Sequence, residues 1–201
     1  MTAEQSASPR SAPLLRRGRT LEAVTLGWNV VGICVLAVAA ITARSVALAG
    51  FGLDSLIEIG ASTVVLWELA GADEERQRRA LRLIGGAFVL LAIYLTVQAA
   101  FVLAIGYHPR HSPLGIIWTG LTAAAMLALA AGKARTGRAL NNPVLLTEGR
   151  VTLVDGILAV AVLAGLALNA AAGLWWADPL AALVIVFYGL REARQIFGSQ
   201  N

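Results

Sequence analysis

The sequence is poor in charge and nearly devoid of cysteine and histidine. Only 14% of its 201 residues are charged while 58% are hydrophobic, whereas soluble domains carry roughly a quarter charged residues. With a mean hydropathy of +0.72, the composition is that of a membrane protein. The single cysteine, Cys34, lies in an apolar run, so one chain has neither a disulfide framework nor a cysteine metal site. Both histidines, His108 and His111, flank Pro109 and Arg110 in one short polar break. No nucleophile–base pair, phosphate loop or zinc-hydrolase spacing accompanies them, so the chain reads as a non-enzyme without a resident cofactor. The net charge of +4 does not indicate nucleic acid as a partner, because the basic residues cluster beside apolar runs, as membrane topology requires.

Six apolar segments follow one another, at about 23–43, 45–67, 83–107, 114–132, 144–171 and 175–190. Each is close to the roughly 20 residues that span a bilayer as a helix. The expected fold is therefore all-α, a polytopic membrane protein with a six-transmembrane-helix bundle. Residues 1–20 read as a disordered basic tail, residues 21–195 as the membrane domain and residues 196–201 as a short C-terminal tail. A signal peptide competes for the first segment, but 21 residues without a charge exceed a typical signal core. Thirteen basic residues fall in the N-terminal tail and in the clusters at 76–82, 133–138 and 191–194, against Arg44 and Arg110 in the opposite loops. This bias places both termini in the cytoplasm, and the chain as a multi-pass protein in the cell (inner or plasma) membrane. Tyr94 and Gln98, one turn apart, are expected to face the bundle interior. Asp178, before Pro179, is expected to cap a helix start. The acidic run at 73–75 beside Arg76, Arg78 and Arg79 reads as a solvated helix face.

Acids inside such segments are rare and costly, roughly 2.5–3.5 kcal/mol each on insertion scales, and they mark cavities, partners or ion pathways. Asp54 and Glu58 are four apart in the second segment, so they share one helix face. Glu148, Thr152 and Asp155 share a face of the fifth. If the two faces meet, three or four carboxylates converge in a low-dielectric space and must hold a divalent cation or keep protons. Glu148 has a second reading, as an interfacial acid paired with Arg150 or set near a helix N-terminus. Thr152 reads more naturally as a backbone-bonded helix residue than as a ligand.

These residues carry a resemblance. The stretch at 54–62, DSLIEIGAS, resembles the second transmembrane helix of the cation diffusion facilitator family of divalent-metal exporters, in which two acids at this spacing form half of the metal site. The fifth segment is similar in part: the family's acid, histidine and aspartate fall on Glu148, Val151 and Asp155. The stretch at 175–193, WWADPLAALVIVFYGLREA, resembles the family's sixth helix. The resemblance implies a homodimeric cation efflux transporter that exchanges cytoplasmic zinc, manganese or cobalt for protons by alternating access, the metal being substrate and not cofactor. It implies Asp54, Glu58 and Asp155 as metal ligands, with Glu148 as a candidate fourth. Val151 cannot coordinate where the family has histidine, and an all-oxygen set shifts preference towards harder ions, although carboxylates also bind zinc. The chain ends shortly after the sixth segment, so the family's cytoplasmic metal-binding domain is expected to be missing and any dimer to form through the membrane helices. Two other classes stay open: a non-transporting metal-binding or regulatory membrane protein, and a proton-coupled exporter of small organic cations.

Overall fold

The structure, a computed structural model, describes residues 11–69 and 74–198. These form six helices: α1 (Ser11–Ala43), α2 (Val46–Leu69), α3 (Glu74–Ile105), α4 (Pro113–Leu140), α5 (Pro143–Ala172) and α6 (Ala177–Gly198), with no strand among the described residues. Arg10 of the expected tail, Asp73 of the acidic run and residues 199–201 lie outside the described residues. Four helices are long and apolar enough to cross a membrane by length and composition.

Local sequence sets the boundaries. Ser112 caps α4 by accepting a hydrogen bond from the Gly115 amide, with Pro113 next in line. Asn141 ends α4 in the left-handed conformation, and Asn142 accepts from the Leu145 amide to begin α5. Only Arg44 and Ser45 separate α1 from α2, and Arg44 turns the chain at a positive φ of 52°. The helical part of α1 begins at Ser11, earlier than the expected end of the tail at residue 20. Its first turns pack against α5: Gly18 is buried, and a Cβ there would stand 3.2 Å from the Leu145 side chain.

The helices form a closed ring, α1–α2–α3–α6–α5–α4 and back to α1, with α2 also touching α5 and α6 across the interior. Contacts at the two ends show that neighbours along the chain run antiparallel. Glu22 of α1, Lys133 of α4 and Glu148 of α5 meet at one end, where Gly85 of α3 also lies against Ile196 and Phe197 of α6. At the other end Asp178 of α6 meets the start of α2, and Asn169 of α5 donates to the Pro109 carbonyl. The start of α1 and the end of α6 are therefore at the same end of the bundle.

Large apolar side chains cover the outside: Ile41 is 76% exposed and Leu90 70%, with Val97, Phe101, Ile117 and Phe187 similarly placed. In water this surface would be an aggregation liability, and in lipid it is the solvated face. The interior holds Leu36, Phe51, Leu95, Leu158, Val162 and Ile185 together with much alanine. Gly165 lets α5 approach α6 closely, since a Cβ there would stand 2.9 Å from the Ala177 carbonyl oxygen. Tyr94 departs from expectation: it is 43% exposed on the outer face, with its partner Gln98 half-buried. A spacing of four fixes that two side chains share a face, not which face it is.

Candidate metal site

The two acid-bearing faces do meet, between α2, α5 and α6. Counted at 1.5 Å per residue from Val46, Asp54 lies about 12 Å and Glu58 about 18 Å into α2, well inside a hydrocarbon core of about 30 Å. Asp54, Glu58 and Asp155 are 6%, 3% and 3% exposed and line one cavity with Phe88, Val151, Leu158 and Tyr188. Its volume is about 20 Å³, room for a single water or a single ion. No amide, hydroxyl or ammonium donor reaches either carboxylate oxygen of Asp155, though both are buried; the one polar group close enough to share a proton with it is the Glu58 carboxyl. A buried polar atom without a partner is rare, because desolvation is then uncompensated.

Glu58 is better supplied. Its Oε2 accepts from Asn29 Nδ2 of α1 at 3.2 Å and its Oε1 from the Thr152 hydroxyl of α5 at 3.3 Å. Thr152 thus bonds across helices and is not merely satisfied by its own backbone. The same hydroxyl accepts from Lys133 Nζ at 2.9 Å, leading into a second buried cluster.

That second cluster was not anticipated as a unit. Lys133, placed by its sequence context among loop cations, continues α4 and is completely buried at 0% exposure. Its ammonium donates to Glu22 Oε2 at 3.0 Å, Glu148 Oε1 at 3.2 Å and Thr152 Oγ1, which uses all three of its protons. Close helix contact makes this reach possible: a Cβ on Gly149 would stand 3.2 Å from both Ala134 N and Lys133 Cβ. Ser62 of α2 also donates to Glu148 Oε1, at 3.2 Å. Glu148 accordingly pairs with Lys133, not with Arg150, which is exposed, and it does not line the cavity of Asp54 and Asp155. Among the described residues no group of three or more Asp, Glu, His or Cys is gathered tightly enough to enclose a metal ion.

The α1 residues beside these clusters carried a signal that the sequence reading did not use. Glu22, Thr25 and Asn29 are spaced three and four apart, a polar stripe on α1 that faces these clusters, and all three are buried. Glu192 lines the cavity from α6 and is half-buried. Elsewhere, Asp178 caps a helix as expected, but that helix is α2: it accepts from Ser45 Oγ and from the amides of Val46 at 3.0 Å and Ala47 at 3.3 Å. His108 packs its ring 4.9 Å from that of Trp175, away from the acids.

Comparison with known proteins places the chain in a family. The chain is 27% identical over 198 residues to Transmembrane protein 163 of Xenopus laevis, a match that covers 92% of this chain and 70% of the relative. The sequence profile of the cation efflux transmembrane domain matches residues 23–199, which include every helix that lines the cavity. The chain belongs to the cation efflux family of membrane transporters.

Proposed function

We propose that this protein exports a divalent metal cation from the cytoplasm in exchange for protons, with Asp54, Glu58 and Asp155 as the ligands that the cation meets in the middle of the membrane. The observation that carries the reading is the pair of buried Asp155 oxygens that no amide, hydroxyl or ammonium donor reaches, in a cavity shared with Asp54 and Glu58. The cavity lining holds these three carboxylates and no Lys or Arg, which calls for an exogenous cation, either a metal or protons. Alternation between the two is antiport: metal displaces protons on one side of the membrane, and protons displace metal on the other. The size of the cavity favours a bare or nearly bare ion. Its 20 Å³ is far below the roughly 300–1,000 Å³ of pockets that take organic molecules.

The donor set is all oxygen, which suits manganese and other hard divalent ions and still accommodates zinc or cobalt. Glu148 serves a different purpose in this reading, as the partner of Lys133. The basic bias of the terminal end orients that end towards the cytoplasm of the inner or plasma membrane. Any homodimer uses the outer faces of the helices.

The test is uptake of Zn, Mn, Co, Cd and Mg into inside-out proteoliposomes under an imposed pH gradient. Wild type is expected to show gradient-dependent flux that Asp54→Asn/Glu58→Gln abolishes. Equal flux in the double variant would overturn the mechanism, and metal binding without flux would leave a binding protein in its place.

A further inference from the structure

The cavity has one wall that the proposed ligand set leaves unused. On α6, Gly189 and Glu192 lie three apart on the face turned to the cavity, and both line it together with Asp54, Glu58 and Asp155. Glycine at 189 keeps that wall thin, which leaves Glu192 as the α6 side chain with a charge to offer. The carboxylates on α2 and α5 are buried, whereas Glu192 is half-buried, six residues from the last residue of α6 at the end where α1 starts. Val151 of α5, with Val154 and Leu158, gives the same space an apolar lining.

We propose that Glu192 is a fourth carboxylate ligand of the divalent cation, receiving it at the terminal end of the cavity and completing a three-helix site on α2, α5 and α6. The proposal rests on the reading of Asp54, Glu58 and Asp155 as cation ligands. The Asp155 oxygens, buried with no amide, hydroxyl or ammonium donor, call for a positive guest, and Glu192 is the least buried of the four acids that line this cavity. With Glu192 included the site is anionic enough to take a doubly charged ion from water and stays free of nitrogen and sulfur donors, which favours manganese over softer metals. The sixth helix then becomes part of the transport machinery.

The experiment is calorimetric titration of Mn²⁺ and of Zn²⁺ into the full chain in detergent micelles, for wild type, Asp54→Asn, Glu192→Gln, Glu192→Asp and Glu192→Gln/Val151→His. Glu192→Gln is expected to weaken Mn²⁺ binding at least about tenfold, the scale on which perturbed metal shells respond. Glu192→Asp, with a shorter reach, loses part of that affinity. A histidine at 151 puts a nitrogen donor into the same cavity, so the double variant regains binding with Zn²⁺ now preferred to Mn²⁺. Wild-type affinity in Glu192→Gln, alongside lost affinity in Asp54→Asn, would reduce Glu192 to a wall residue and overturn the proposal alone. Wild-type affinity in both would overturn the underlying reading as well. If Glu192→Gln does not fold, unchanged Mn²⁺ affinity in Glu192→Asp is the overturning result.

Discussion

Two acidic clusters lie side by side in the interior of this bundle, and they differ in one respect. Around Lys133, the acids Glu22 and Glu148 share an internal ammonium whose three protons are all used. Around the cavity, no Lys or Arg lines the space beside Asp54 and Asp155, and no amide, hydroxyl or ammonium donor reaches Asp155. Glu58 belongs to both, held by Asn29 and Thr152 yet open to the cavity. A buried charge is tolerated when its partner is built in, and it becomes a binding site when its partner is left out. On the proposed function, the first cluster belongs to structure and the second to transport.

The strongest way to break this division is to remove the ammonium. Lys133→Met leaves buried carboxylates uncompensated, and losing one partner of a buried pair costs about 3–5 kcal/mol. Thermal unfolding in detergent should show a large loss of stability, partly recovered by added Mn²⁺ because the first cluster now also lacks a cation. A variant as stable as wild type would mean that Lys133 is not the internal counter-charge. Asp155→Asn should do the opposite: metal affinity falls at least about tenfold, while stability without metal stays level or rises, since an unpaired charge has been replaced by an amide able to donate to Glu58. Marked destabilisation by this change would erase the distinction between the clusters. Smallest of all is Thr152→Val, which cuts the link between them. The expected loss is near 0.6 kcal/mol, typical of a hydrogen bond between membrane helices, and its reporter is the apparent metal affinity set through Glu58.

The cavity acids were legible in sequence because carboxylates four or three apart in charge-free runs have few inexpensive explanations, as Asp54, Glu58 and Asp155 illustrate. The internal counter-charge was not. Lys133 follows an apolar run and precedes Arg135 and Arg138, so local composition reads as a loop, although the helix continues unbroken to Leu140. Glu22 sits where the first apolar run begins and looks like the last residue of a tail. Its role is visible only in register with Thr25 and Asn29. Glu192 is hidden in the charged stretch at 191–194, where solvent is the default reading. Each of these depends on which side chain from a distant helix arrives opposite, and periodicity within one helix carries no such information. Tyr94 makes the same point in reverse, since an inward-facing pair was a fair expectation that only the neighbours decide.

The cap on α2 does more than start a helix. Asp178 joins the first turn of α2 to the first turn of α6 through Ser45, Val46 and Ala47. At the same end, Arg110 N donates to the Ala43 carbonyl at 2.8 Å and Asn169 to Pro109. Prying α2 from α6 there would strip a buried carboxylate of three donors, so these bonds act as a clasp that holds the two helices together at the rim away from Glu192.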